Sequence, residues 1–332
     1  MLSHLSQLPA RKRNGPPLSV LTCYDYPTAR LLDEAGLDLL LVGDSLGMVV
    51  LGLPDTTGVT MEDMVHHIQA VARGAKRVPL IGDLPYRSYL TPDMAVRNAR
   101  RLVRAGAHAV KLEGGVSMLA QVKAILAEGI PVVGHIGMLP QSVVVEGGYK
   151  KKGRTAEDAA RLMADAVALD EAGACACVLE SMMPEVAAAI TQRVKMNTIG
   201  IGAGNACDGQ VLVTPDLIGS FPWFRPPFAK ARADVAGETL RAVREYVAAV
   251  VAGTLASAPA PAPAATAAEP SASAPQPVPA AVIETLVVPP EPLVVHREPL
   301  VVHSGPVAET FSETPPLEPE LAEAISPSST PE

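Results

Sequence analysis

Residues 39–45 read Leu-Leu-Leu-Val-Gly-Asp-Ser, a run of four apolar residues that ends at a glycine and passes at once to an acidic and a hydroxyl side chain. The same form recurs along the chain. Pro79-Leu-Ile-Gly runs into Asp83, Ala109-Val-Lys111-Leu runs into Glu113, Val132-Val-Gly runs into His135, and Cys177-Val-Leu runs into Glu180. Working outward from these runs, strands are predicted at 19–24, 39–42, 79–82, 109–112, 131–134, 176–179, 197–201 and 210–213. Amphipathic stretches separate them, at 27–35, 61–73, 92–105, 117–127, 156–172, 184–193 and 232–251. Several of these end at a glycine that would stop a helix, such as Gly36, Gly106, Gly129 or Gly173. Short apolar runs alternating with helices imply βα units around a parallel sheet. Eight units in about 250 residues predict a (β/α)8 TIM barrel over 1–253, with an open doubly wound sheet as the alternative.

Composition bounds the rest. At 332 residues, 48% hydrophobic and 19% charged, the chain carries enough apolar material for a sizeable core, so disorder over its full length is excluded. Aromatic residues make up only 3%, too few for a platform that stacks single-stranded nucleic acid. The formal net charge of −8 is segregated: 254–332 hold one basic residue, Arg297, and ten Glu, which leaves 26 basic and 25 acidic residues in 1–253. A near-neutral folded part predicts no nucleic-acid and no membrane partner. The segment 254–332 also contains 17 of the 32 prolines and a single glycine, Gly305, and is expected to be a disordered Pro/Ala/Glu-rich tail. Within it Glu291-Pro-Leu-Val-Val-His296 recurs as Glu298-Pro-Leu-Val-Val-His303, better explained as replication slippage than as a docking strand. Cys23, Cys175, Cys177 and Cys207 form no CxxC pair and follow no secretory leader, so reduced thiols in a cytoplasmic protein are expected.

In a barrel, the C-terminal ends of all strands meet at one mouth. Asp44 with Ser45, Asp83, Lys111 with Glu113, His135 and Glu180 would therefore share a site although they come from five strands. Three carboxylates, Asp44, Asp83 and Glu113, with no cysteine or His-x-His partner, suit a hard, oxygen-seeking cation, Mg2+ above all. Crowded together they would otherwise raise one another's pKa, and a divalent cation relieves that. Lys111 is then left for an anionic substrate group and Glu180 is free to move protons. Gly200-Ile-Gly-Ala-Gly204 reads as a tight strand-end turn, and Lys150-Lys-Lys-Gly-Arg154 as a solvated loop near an anionic substrate. His66-His67 point in different directions on a helix and make a poor metal pair. Cys23 is read as a plain core thiol.

The strings Leu21-Thr-Cys-Tyr-Asp-Tyr26, Leu41-Val-Gly-Asp-Ser-Leu-Gly47, Gly82-Asp-Leu-Pro85, Val110-Lys-Leu-Glu-Gly-Gly115, Gly134-His-Ile-Gly137, Pro140-Gln-Ser142 and Gly200-Ile-Gly-Ala-Gly-Asn205 occur in this order. In order and spacing they resemble the ketopantoate hydroxymethyltransferase family over roughly residues 15–253. The resemblance implies a Mg2+-dependent barrel of the phosphoenolpyruvate/pyruvate superfamily, a cytoplasmic homo-oligomer, commonly a decamer. Its implied reaction makes ketopantoate from 3-methyl-2-oxobutanoate and the co-substrate 5,10-methylenetetrahydrofolate, through a Mg2+-stabilised enolate, in pantothenate biosynthesis. It further implies Asp44 and Asp83 as metal ligands that also meet substrate, with Glu113 completing the metal site directly or through water. Ser45 and Lys111 would hold the substrate carboxylate, Glu180 would accept the proton, and His135 would support the site. The chain departs from the family's pattern at Glu180-Ser-Met-Met-Pro184, at Leu139, and at Thr214-Pro215 before Asp216, and the Pro-rich extension lies outside the family's usual length. Two rival readings are another Mg2+ barrel acting on α-keto acids, whose Lys-Lys-Cys-Gly-His string is absent, and a non-catalytic scaffold recruited through the repeats.

Overall fold

The computed structural model describes residues 11, 12 and 15–255. The expected tail from residue 256 onward, with its repeats, lies outside the described residues. All eight expected strands form: β1 Leu18–Thr22, β2 Leu39–Val42, β3 Leu80–Asp83, β4 Ala109–Lys111, β5 Val132–Gly137, β6 Ala176–Glu180, β7 Asn197–Ile201 and β8 Gly209–Leu212. Each pairs in parallel with the next and β8 returns to β1, so the sheet closes into a barrel and the open doubly wound alternative falls.

Closure depends on a seam at the start of β1. Leu18 pairs with Gly209, and the Leu18 amide donates to the Asp208 carbonyl at 2.8 Å. A side chain at 209 would meet the Leu18 Cβ at 2.6 Å, so the position requires glycine. The Asp208 carboxylate, in turn, accepts from Lys12 Nζ at 2.6 Å and from the Thr198 amide at 2.9 Å, which ties the approach to β1 to β7.

Strands buried on both faces explain the unbroken apolar runs. One face fills the barrel: Leu18, Val20, Leu39, Leu41, Ile81 and Val133 pack together inside it. The other face meets the helices, where Leu40, Val110 and Val132 pack with Met64, Leu102 and Leu169. The helices at Pro92–Ala105, Ala156–Ala172 and Pro184–Arg193 have the expected bounds, and the one at Met61–Gly74 begins with a reciprocal capping box between Thr60 and Asp63. Three short helices were not expected: Leu46–Val49, Val143–Glu146 and Thr214–Ile218. At four or five residues none completes enough turns to show a period in the sequence.

β5 runs three residues beyond its expected end because Gly137 closes it against β6. Gly137 has φ +103°, and a Cβ there would stand 2.2 Å from the Glu180 carbonyl oxygen. Gly137→Ala is therefore expected to cost about 2 kcal/mol or more of unfolding free energy, on the scale of a strained backbone position plus a main-chain clash. Urea denaturation at matched slope checks this; a midpoint equal to that of the parent would contradict it.

Candidate active site

The period of two along a strand carries the inward face of each run from apolar filler to polar group at the mouth. Ile81 leads to Asp83, Ala109 to Lys111 and then Glu113, Val133 to His135, and Val178 to Glu180. Asp44 breaks this rhythm: it lies in the turn after β2, before the Leu46–Val49 helix. Asp44, Ser45, Asp83, Lys111, Glu113 and Glu180, with His135, line one cavity of about 100 Å³. All seven side chains singled out in the sequence thus meet in one place.

Asp83 and Lys111 stand opposite each other in the β3–β4 register, and their side chains form an ion pair at 2.8 Å. The Asp44 amide also donates to Asp83 Oδ2, at 3.3 Å. Burial, then the charges of Asp83 and Glu113, push the Asp44 carboxyl well above the usual carboxylate range. Burial raises Asp83 as well, although Lys111 works against it. Burial disfavours the Lys111 ammonium, yet Asp83, Glu113 and Asp44 hold it protonated, above its ordinary value. His135 sits between two carboxylates, Nδ1 at 3.5 Å from Glu113 Oε1 and Nε2 at 3.1 Å from Glu180 Oε2. Neither contact is aligned as a hydrogen bond, so among the described residues both ring nitrogens and Glu113 Oε1 are buried without a hydrogen-bond partner. Burial and Lys111 oppose protonation of His135, but Glu113 and Glu180 outweigh them and raise it to about 9. Glu180 is the most open of the titratable side chains: it is 13% exposed, against 3% for His135.

Sequence reasoning did not single out Gln141 as a site residue. Gln141 lies in a single 3-10 turn, Pro140–Ser142, with no periodicity to read. Its amide nitrogen donates to Asp44 Oδ2 at 2.7 Å and to the Leu84 carbonyl at 3.0 Å, its backbone N–H donates to Glu113 Oε2 at 3.1 Å, and its amide oxygen accepts from the Tyr89 hydroxyl at 2.5 Å. One neutral residue thus holds two acidic side chains in place, Asp44 through its amide group and Glu113 through its backbone N–H. The Tyr24 hydroxyl does the same for Ser45, at 2.8 Å. His67 and Cys23 line neither cavity. His67 Nδ1 is taken by the Tyr24 carbonyl at 2.6 Å, and burial pushes the Cys23 thiol up to about 12.

A second cavity, of about 600 Å³, adjoins the first and shares Asp44, Ser45, Pro140 and Glu180 with it. Phe221, Phe224 and Phe228 line it, as do Tyr149, Lys150 and Lys151 of the basic loop. A small chamber holding the acids and Lys111 and opening into a larger one suits two substrates meeting at Glu180.

The profile of the family described as ketopantoate hydroxymethyltransferase matches residues 3–257. The chain belongs to this family. It is 51% identical over 255 residues to the 3-methyl-2-oxobutanoate hydroxymethyltransferase of Dehalococcoides mccartyi (strain CBDB1), covering 76% of this chain and 91% of the relative. It is 52% identical over 238 residues to the enzyme of the same name from Acetivibrio thermocellus, covering 71% of this chain and 84% of that one. Among solved structures it shares its fold with a phosphoenolpyruvate phosphomutase from Streptomyces platensis subsp. rosaceus at a TM-score of 0.52 and 17% identity, over 76% of this chain and 89% of that one. The barrel expected from the sequence is the one found, and the chain is an enzyme, a transferase. Among the described residues no helix is long and apolar enough to cross a membrane.

In this ketopantoate hydroxymethyltransferase family member, Gln141 is the side chain on which the acidic cluster leans. Gln141→Ala leaves Asp44, the Leu84 carbonyl and Tyr89 short of partners, and a buried polar group left unpaired costs about 1–3 kcal/mol. The variant is expected to lose about 2 kcal/mol or more of unfolding free energy by urea titration; an unchanged midpoint would contradict the bridging role.

Proposed function

We propose that the chain transfers a hydroxymethyl group from 5,10-methylenetetrahydrofolate to 3-methyl-2-oxobutanoate, giving ketopantoate and tetrahydrofolate in pantothenate biosynthesis. One observation carries the reading: a small chamber of buried acids and one lysine opens, at Glu180, into a cavity large enough for a cofactor-sized donor. The curated relatives' names point to the same acceptor.

Mg2+ fits the residues present. Among the described residues Glu113 Oε1 is a buried oxygen without a hydrogen-bond partner. Asp44 and Asp83 are held above their usual pKa by burial first, with neighbouring carboxylates adding to it, and a divalent cation would compensate their charge. Among the described residues no three His, Cys, Asp or Glu side chains form a ready-made metal cage. Mg2+ does not need one, since it commonly takes one or two carboxylates and leaves its other positions to water and substrate. Asp44 and Asp83 would hold it, with Glu113 completing the site directly or through water. Bound there, Mg2+ would act as a Lewis acid on the α-keto acid, favouring loss of its C3 proton.

The chain's own groups do the rest. Lys111, kept charged by the surrounding carboxylates, and Ser45, oriented by Tyr24, hold the substrate carboxylate. Glu180, on the rim between the two cavities, takes the C3 proton, and the protonated ring of His135 beside it stabilises its negative charge. The C3–H bond breaks and a bond forms from C3 to the one-carbon unit. Both C–N bonds of the methylene bridge are lost, one water supplies the hydroxyl group, and the two folate nitrogens end protonated. We assign this chemistry to residues 1–253 and none of it to 254–332; the family profile ends at residue 257. The helix Val235–Val251 buries none of its residues and exposes Leu240, Val243 and Val247, which supports association of copies into a homo-oligomer.

The deciding assay is release of tetrahydrofolate that requires both 3-methyl-2-oxobutanoate and Mg2+; release without either one would overturn the reading. Glu180→Gln is expected to lower both turnover and exchange of the substrate's C3 proton for deuterium by about 10²–10⁴-fold, the range for loss of a general base. Exchange at the parent rate would remove Glu180 from that role. Because the apo carboxylates hold protons above their usual pKa, Mg2+ must displace them. Mg2+ affinity is therefore expected to rise with pH and its binding to release protons, read by calorimetry in buffers of different ionisation enthalpy; a pH-independent affinity would contradict this.

A further inference from the structure

The larger cavity contains one buried charge that the reaction above leaves unused, Asp216. It sits in the first turn of the helix Thr214–Ile218, whose start is pinned to the end of β1: the Thr214 amide donates to Thr22 Oγ1 at 3.0 Å and its hydroxyl donates to the Thr22 carbonyl at 2.5 Å. Asp216 is only 5% exposed, and it lines the cavity. No side-chain hydrogen bond or ion pair reaches its carboxylate among the described residues; Arg225 acts on it only at longer range. Burial is the main influence on it and raises it to about 6. An acidic residue in a helix's first turn is favoured by the helix dipole, but that preference is satisfied at the surface and does not call for burial in a cavity without a partner.

The surroundings narrow down what could meet this carboxylate. Phe221, Phe224 and Phe228 offer faces for a flat ring system, Glu180 and Asp44 place reacting groups on the same cavity, and Lys150 and Lys151 add two cations to its lining. A ligand complementary to all of this is planar, carries two adjacent N–H donors on one edge to match the two carboxylate oxygens, and has anionic groups elsewhere. A reduced pterin has such an edge, formed by N3–H and the 2-amino group, and its glutamate end is anionic.

We propose that Asp216 is the residue that recognises the pterin edge of the folate donor, with Lys150 and Lys151 receiving its glutamate carboxylates. The inference rests on the folate reading given above and adds to it the residue that sets donor specificity. The site selects the 2-amino-4-oxo pattern because any ring without the second donor leaves one oxygen of a buried carboxylate unsatisfied.

The test is direct binding to the full chain, in the presence of 3-methyl-2-oxobutanoate and Mg2+, of tetrahydrofolate and of its analogue lacking the 2-amino group. The parent is expected to bind the analogue at least tenfold more weakly than tetrahydrofolate. Asp216→Asn is expected to bind tetrahydrofolate at least tenfold more weakly than the parent and to discriminate little between the two ligands. Equal affinity of the parent for both ligands, a measurement that needs no variant, overturns the proposal, as does an equal penalty for the analogue in parent and variant. A parent that binds no tetrahydrofolate at all overturns the donor assignment itself, and this proposal with it.

Discussion

The ion pair between Asp83 and Lys111 is the fixed point of the site, because the barrel's own hydrogen-bond register sets it. Two adjacent parallel strands bring residues 83 and 111 side by side whatever the loops do, and closure of the sheet places that pair at the mouth. Around it the charges do not balance. Asp44, Asp83, Glu113 and Glu180 face Lys111 and His135, so even with His135 charged the cluster tends to an excess of negative charge away from water. Such an excess is costly to bury without a compensating cation. The protein lowers the cost with neutral donors, Gln141 above all, and leaves Glu113 Oε1 unsatisfied.

The fold was legible because burial of barrel strands favours short, β-branched apolar segments that alternate with amphipathic ones. Each of the eight segments read as a strand became one, and 39–42 and 197–201 did so to the residue. Most of the site was legible for a related reason. On β3 to β6 the inward rhythm of two continues past the apolar run, so Asp83, Lys111, Glu113, His135 and Glu180 stand where the barrel's filling gives way to solvent. Asp44 was found by adjacency alone, since it lies off that rhythm in a turn.

What stayed hidden lies between the strands and the main helices. Gln141 occupies a single 3-10 turn and Asp216 a helix of five residues, lengths over which no period can show. Neither advertises its role by type. An amide is ordinary on a surface, and an acid in a helix's first turn is ordinary anywhere. Both matter through what surrounds them, Gln141 through carboxylates that follow two different strands and Asp216 through the absence of a hydrogen-bond donor among the described residues, and only coordinates reveal surroundings.

The two cavities are also held by different parts of the fold, which bears on how the chain departs from its family's pattern. The inner one is walled mainly by strand ends, locked by ladder hydrogen bonds to neighbours on both sides, so a change there disturbs the barrel itself. The outer one is walled largely by loops and short helices. Leu139 precedes Pro140, the Met182-Met183 pair follows Ser181, and Thr214-Pro215 precedes Asp216; Pro140, Ser181 and Asp216 all line the larger cavity. The departures thus sit beside the walls of the larger cavity and spare the acids and lysine of the smaller one. A barrel can change its loops at little cost to the sheet, so the larger cavity is where a family member can vary its fit while the strand-end acids and lysine stay fixed.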